Sequence, residues 1–483
     1  MTNPRRMAHW LTCALMLVSS IAMADDRESV DRPNVLFIAV DDLNVWVGAL
    51  GGHPQVRTPN IDRLAARGTL FTRAYCAAPA CNPSRAALLS GRRPSTTGIY
   101  HNNQPWKPVL RDSITLPEHF KQHGYYVAGG GKIFHGGDDD PRFWHEYFRR
   151  LADPPPARPS LSGLGRAQFD WGPLDATDDA MGDFKLVSWA AKQMEQSRDR
   201  PFFLAVGFVK PHLPWYVPRK YFDMYPLDAI KLPPVRADDL ADVPPAGVKM
   251  AAPDGDHRAV VAANQWPHAV QAYLATISFL DAQVGRLLDS LDRSPHRDNT
   301  IVVLWGDHGW HLGEKQHWRK FALWEEATRA PLIFVAPGVG KPGARCDRAI
   351  DYMNIGPTLT DLCDLPNLAA AEGASLRPLL ADPTASWDRP AITTHGRNNH
   401  TVRTDGWRYI RYSSGDEELY DHNADPHEWS NLAADPKHAA IKAELAARLP
   451  KDNAADAPRA AGDGERPKAK RSKVQKASPG ADD

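Results

Sequence analysis

The chain has 483 residues, in which 58 Lys plus Arg are balanced by 58 Asp plus Glu. Hydrophobic residues make up 42% and charged residues 24%, a globular composition. These figures exclude a wholly disordered chain, a collagen and a multi-span membrane protein. The zero formal charge argues against a dedicated nucleic-acid binder, so no nucleic-acid partner is expected. Length alone predicts about two or three domains.

Arg5 and Arg6 precede a short apolar run at 10–18, and small residues follow up to Ala22-Met23-Ala24. A charged start, an apolar stretch and an A-x-A site predict a signal peptide over 1–24. The run is too short to span a bilayer as a helix. Export to the periplasm or the exterior is expected, without stable membrane insertion. Beyond residue 24 only Cys76, Cys81, Cys346 and Cys363 remain, too few for a disulfide framework in so long a chain. The pairs 76/81 and 346/363 stay open as bridges.

Asn34 to Val40 is a continuous apolar, β-branched run followed by Asp41-Asp42. Residues 201–209 form a second run, ending in Lys210-Pro211-His212. Residues 300–305 form a third, ending in Gly306-Asp307-His308. A fourth, at 331–336, ends in Pro337-Gly338 without a charge. Such runs suit strands buried on both faces of a parallel sheet. Helices are predicted from Thr58 (N-cap) and Pro59 to Gly68, over 269–291 and over 354–362. Alternating strands and helices predict an α/β sheet, in which ligands sit beyond the carboxyl ends of the strands. Asp41, His212 and Asp307 all fall at such ends.

After about residue 385 short strand-like pieces alternate with turns, followed by a helix-like stretch at 437–449. The expected organisation is a signal peptide at 1–24, a catalytic α/β domain at 25–385 and an α+β subdomain at 386–450. A disordered tail is expected at 451–483. Residues 466–476 hold six basic and no acidic residues. They read as a solvated tail or as a polyanion-binding arm.

The most informative segment is Cys81-Asn82-Pro83-Ser84-Arg85, continuing to Ser90-Gly91-Arg92. Cys81 is predicted at a helix start, where free N–H groups attract oxyanions and Arg85 lies one turn on. On position alone, an inert buried Cys and a reactive group are equally good readings.

The pattern C-x-P-S-R followed by x-x-x-L-x-G-R resembles the signature of type I sulfatases, of the alkaline phosphatase superfamily. Asp41-Asp42 and Asp307-His308 resemble that family's two pairs of metal ligands. Gly131-Lys132-Ile133-Phe134-His135 and Lys210-Pro211-His212-Leu213-Pro214 resemble further elements of its iduronate 2-sulfatase branch. So does the segment carrying Lys320. The likeness runs over roughly residues 33–435. Singly, His135 or His212 reads as a surface or core histidine. The constellation reverses that reading.

The resemblance implies a large mixed, mostly parallel sheet flanked by helices, with a small C-terminal antiparallel sheet and a helix. It implies oxidation of Cys81 to formylglycine by a formylglycine-generating maturation enzyme. One Ca²⁺ is implied, held by Asp41, Asp42, the Cys81-derived group, Asp307 and His308. It gives Arg85, Lys132 and Lys320 a cationic role, His212 the role of acid for the leaving sugar oxygen, and His135 that of base. The implied substrate is a sulfated carbohydrate, such as a 2-O-sulfated uronate. Alternatives are a phosphomonoester or phosphonate hydrolase of the same superfamily, or a non-catalytic sulfated-glycan binder if Cys81 stays unoxidised. Trp215, Trp310, Trp318 and Trp324 flank these motifs and read either as sugar-stacking faces or as core.

Overall fold

The computed structural model describes residues 32–166 and 168–460. The expected signal peptide and the basic block at 466–476 lie outside the described residues. No helix among the described residues is long and apolar enough to cross a membrane.

Eight strands form one sheet: β1 (Asn34–Val40), β2 (Thr69–Tyr75), β3 (Tyr126–Gly131), β4 (Glu146–Arg149), β5 (Phe202–Phe208), β6 (Thr300–Gly306), β7 (Leu332–Val335) and β8 (Ala344–Asp351). Their spatial order is β8-β2-β7-β6-β1-β5-β3-β4. β1 pairs in parallel with β5 and β6, β3 pairs in parallel with β4 and β5, and β8 does so with β2. Only β7 runs antiparallel to its neighbours β6 and β2. Its chargeless end therefore points away from the edge where the other strands deliver their polar residues.

Residues of β1 alternate between two cores. Leu36, Ile38 and Val40 pack with α1 (Pro59–Arg67), α3 (Gly182–Glu195) and α4 (Trp266–Arg293). Val35, Phe37 and Ala39 pack with α2 (Cys81–Ser90) and α5 (Ile355–Leu362). A strand covered on both faces needs apolar residues at every position, which is why β1, β5 and β6 read as unbroken runs. Thr58 precedes α1 but makes no capping bond. Its hydroxyl donates to Asp62 and accepts from the Gly48 N–H instead, tying the helix start to the preceding loop.

Four antiparallel strands follow: β9 (Ala391–Thr394), β10 (His400–Arg403), β11 (Trp407–Arg411) and β12 (Glu417–Asp421). The helical stretch expected at 437–449 is a 3₁₀ turn at Pro436–His438 and α6 at Ala439–Ala446.

The expected tail does not begin at residue 451. The Ala454 and Ala457 N–H groups donate to the Ser95 and Gly98 carbonyls, and the Ala460 N–H donates to the Asn103 carbonyl. Tyr100 Oη and Gln104 Nε2 donate to the Ala454 and Ala457 carbonyls. Gly98 has φ +76°, and a Cβ there would meet the Ala455 carbonyl at 2.2 Å. Backbone pairing of this kind needs no apolar side chain, so an Ala-rich composition conceals it.

Candidate active site

Five strand ends converge on one edge of the sheet. Asp41 and Asp42 directly follow β1, Lys132 follows β3, His212 follows β5, and Asp307 and His308 follow β6. Cys81 opens α2 after the loop leaving β2. The turns are specific. Gly131 has φ +79°, and a Cβ there would meet the Gly207 carbonyl at 2.0 Å, so the chain needs glycine to deliver Lys132. Asp42 adopts φ +59°, a left-handed conformation uncommon outside glycine that Asp and Asn tolerate best.

Arg85 organises the floor. Its Nε donates to Asp307 Oδ2 at 2.8 Å, and one terminal nitrogen lies 3.4 Å from Asp41 Oδ1. The other donates to the Lys132 and Ile133 carbonyls at 2.5 and 3.2 Å. Arg85 and Asp307 are fully buried, so each charge depends on the other. Lys132 Nζ reaches Asp41 Oδ2 at 2.6 Å. Lys320 Nζ lies 2.8 Å from both Asp42 Oδ1 and Cys81 Sγ. His308 Nε2 is 3.4 Å from Cys81 Sγ, Asp42 Oδ1 and Asp307 Oδ1. His212 Nε2 is 3.9 Å from Asp42 Oδ2. The His135 ring is near enough to Cys81 to influence its ionisation, and its Nδ1 is buried without a hydrogen-bond partner.

Charge follows from this packing. Burial opposes ionisation of Asp41, but Lys132 leads the cations that outweigh it and hold the carboxyl below its usual range. Burial likewise opposes a Cys81 thiolate, and Lys132 and Lys320 hold its pKa well below the ordinary thiol value. For His212 burial favours the neutral ring, yet Asp42 and Asp41 raise its pKa. For His135 burial lowers it, which favours the neutral ring.

Ligand atoms of Asp41, Asp42, Cys81 and His308 all lie within 4.8 Å of one another. Asp42 Oδ2 is buried without a hydrogen-bond partner, the environment a bound cation satisfies. His308 Nδ1 faces the Gly309 carbonyl at 3.0 Å and must donate to it, which directs the Nε2 lone pair into the cluster. Two carboxylates suit a hard divalent cation such as Ca²⁺, while an imidazole nitrogen is less usual for it. Asp307 stands beside this group, its Oδ2 engaged by Arg85 and its Oδ1 by the Asp42 N–H. A second cluster, Glu325, His422 and Glu428, is filled by Arg403 and Arg408 and is an ion-pair network.

Every site residue singled out from the sequence lies in this one cluster or lines its edge. Several supports were not read. Asn82 donates to the His101 and Gln104 carbonyls, and Gln104 Oε1 accepts the Tyr100 and His101 N–H groups, bracing the first turn of α2 against the loop at 100–104. Asp138 accepts the Ile133 and Phe134 N–H groups beneath Lys132 and His135. These are ordinary Asn, Gln and Asp residues, and nothing in their spacing distinguishes them. Trp215, Trp318 and Trp324 are buried in the core, whereas Trp310, buried as well, lines a small pocket with Lys320 over its ring. Cys76, Cys81, Cys346 and Cys363 are free, so neither bridge forms.

The small pocket is lined by Asp42, Gln168, His212, Arg319, Lys320 and Phe321, among others. His212 and Gln168 also line a cleft of about 740 Å³ beside it, walled by the proline-rich segment at 150–160.

Comparison with known proteins agrees with this geometry. Residues 33–365 match the sulfatase family, and residues 313–455 match the C-terminal region of N-sulphoglucosamine sulphohydrolase. A sulfatase of Formosa agariphila is 43% identical, over 89% of this chain and 88% of its own. Human iduronate 2-sulfatase is 32% identical, over 79% of this chain and 77% of its own. The phosphonate monoester hydrolase of Silicibacter pomeroyi shares the fold at a TM-score of 0.73 and 22% identity, over 86% of this chain and 94% of its own. The chain therefore belongs to the sulfatase family and is a sulfuric ester hydrolase.

Proposed function

We propose that this enzyme removes sulfate from a sulfated carbohydrate, with a 2-O-sulfated uronate or related sugar as the preferred class. The proposal includes oxidation of Cys81 to formylglycine, a single Ca²⁺ at Asp41, Asp42, the Cys81-derived group, Asp307 and His308, and export by the N-terminal segment. The observation that carries it is the meeting of Cys81 with Lys320 at 2.8 Å, beside Lys132, His135 and His212. The likeness to human iduronate 2-sulfatase supports the sugar class.

Matured Cys81 supplies an aldehyde hydrate with two hydroxyls, and the divalent cation supplies positive charge to the sulfate oxygens. The chain's own residues do the rest. A sulfate ester resists attack because negative oxygens shield its sulfur, so catalysis needs cations aimed at them. Lys132 and Lys320 are buried point charges placed for that purpose. Arg85 holds Asp41, Asp307 and the Lys132 turn in register. His212 Nδ1 donates to the Leu213 carbonyl at 2.5 Å, which turns Nε2 toward the site. There it protonates the departing sugar oxygen, aided by Lys320. His135 takes a proton at the Cys81 position when sulfate is released.

Peptide mass spectrometry of the active enzyme tests the maturation. An aldehyde at position 81 is expected, and a fully active protein carrying an intact thiol overturns the reading. Parallel rates on aryl sulfate and on aryl phosphate or phosphonate esters test the chemistry. Preference for the phosphorus esters favours the alternative hydrolase.

A further inference from the structure

Arg319 is the one charged residue of the small pocket that the catalytic reading above leaves unused. It precedes Lys320 directly and adopts φ +73°, a strained left-handed conformation for a non-glycine residue. Its neighbour once removed, Phe321, has φ +73° as well. Strain of this kind persists where the surroundings hold it, and here they do so at the mouth of the site.

The guanidinium is fixed from two sides. Its Nε donates to Asp256 Oδ2 at 2.7 Å, and its central carbon lies 4.5 Å from the Phe169 ring centre. That Nε–H is the only hydrogen bond it donates among the described residues, and the side chain keeps 22% exposure. Both terminal nitrogens are therefore open to a ligand, in a planar fork already oriented by stacking. Asp256 does not cancel this charge, because it also pairs with Arg166. Two guanidinium groups share one carboxylate, which leaves one net positive charge. Asp42, the carboxylate in the same pocket, is already opposed by Lys320 at 2.8 Å.

We infer that Arg319 is a specificity-determining residue, which binds a second oxyanionic substituent, a carboxylate or another sulfate, on the sugar bearing the scissile sulfate. This rests on the sulfatase reading of the same site and deepens it. Lys132 and Lys320 already stand at the Cys81 position where the scissile sulfate reacts, so the Arg319 fork recognises a different group. A pre-oriented guanidinium matches a carboxylate with two parallel N–H bonds, and binding it orients the ring that enters the cleft beside His212.

The experiment compares kcat/KM within two substrate pairs: a 2-O-sulfated uronide against its carboxyl-reduced counterpart, and a disulfated neutral disaccharide against its monosulfated form. The native enzyme is expected to prefer the more acidic member of one pair by about tenfold or more, mostly through KM. The pair showing the preference identifies the anion. Arg319→Asn keeps a residue type tolerant of the left-handed backbone and is expected to bring that ratio close to one. Asp256→Asn leaves the guanidinium but loosens its anchor, and is expected to lower the ratio partway. A merely structural role for Arg319 lowers both members of a pair alike. An unchanged ratio in Arg319→Asn, or no preference in the native enzyme, overturns the inference while leaving the sulfatase reading intact. A native enzyme that cleaves phosphonate esters and no sulfate ester overturns the reading on which it rests.

Discussion

The Lys320 ammonium stands 2.8 Å from the Cys81 sulfur, although 239 residues separate them in the chain. Lys320 arrives on a strained loop between Trp318–Arg319 and the short helix Glu325–Thr328, whereas Cys81 opens α2 after the loop that leaves β2. The contact ties the reactive position to a cation that also pairs with Asp42. It is the geometry that a negatively charged ester requires, and it makes each partner testable by itself.

Replacing the nucleophile position is the most direct check. Cys81→Ser, produced in a bacterial host whose maturation acts on Cys, is expected to lose turnover by at least about 10³-fold, the scale on which removal of a covalent nucleophile acts. Thermal unfolding monitored beside the kinetics is expected to show a folded protein.

His212→Ala is expected to separate substrates by their leaving groups. Esters of sugar alcohols need protonation of a poor leaving oxygen, while aryl sulfates depart without it. A loss of about 10²-fold or more on the sugar ester is expected, with a much smaller loss on the aryl ester. Equal losses on both remove His212 as the acid.

Chelation tests the metal cluster. Dialysis against a chelator is expected to abolish activity, and added Ca²⁺ to restore it. Because Asp41, Asp42 and His308 are buried together, Ca²⁺ is also expected to raise the unfolding temperature in a concentration-dependent way. That second readout holds even where maturation of Cys81 is incomplete.

The buried network under the Lys320 loop has a defined pH response. Burial opposes ionisation of Glu325, but Arg403, His422 and Arg408 outweigh it and hold the carboxyl well below the usual range. A carboxyl depressed in the folded state contributes stability above its unfolded value, about 4.5, and loses it as pH falls further. Arg408→Met leaves Glu325 and Glu428 short of a buried partner. It is expected to destabilise the protein at pH 7 by about 3–5 kcal/mol. The gap from the native protein is expected to narrow below pH 4.5, as Glu325 protonates in the variant. Denaturant melts at pH 7 and pH 4 measure both.

The strap at 451–460 gives a test by truncation. Ending the chain after residue 450 leaves Tyr100 Oη and Gln104 Nε2 without their acceptors, and Gln104 braces the turn that holds Asn82 beside Cys81. A lower unfolding temperature and a lower kcat are expected together. Ending it after residue 460 keeps every one of these bonds and is expected to preserve both.

Much of this protein is written locally. The unbroken runs of β1, β5 and β6 are legible because burial on both faces demands apolar residues at every position. The Cys81–Arg92 motif, the Asp41-Asp42 and Asp307-His308 pairs, and the Lys and His elements are legible as patterns at fixed offsets. Other strands escaped because their signals are diluted. β3 ends in three glycines, and β8 alternates charged residues along a sheet edge. α2 is buried along its whole length, which no amphipathic period announces.

The sequence by itself determined the fold class and the family, and it named the residues that meet at the candidate site, because each rests on residue type and spacing along the chain. Only the tertiary structure decided which carboxylates gather at the candidate metal site and which of them Arg85 also engages. It also decided that Trp215, Trp318 and Trp324 are core while Trp310 lines the small pocket, that the cysteines stay free, and that the strap past residue 450 belongs to the fold. These are matters of direction and distance between segments remote in sequence. Parallel strands that end at one edge bring such segments together, and a linear pattern carries no record of how their side chains then divide the space.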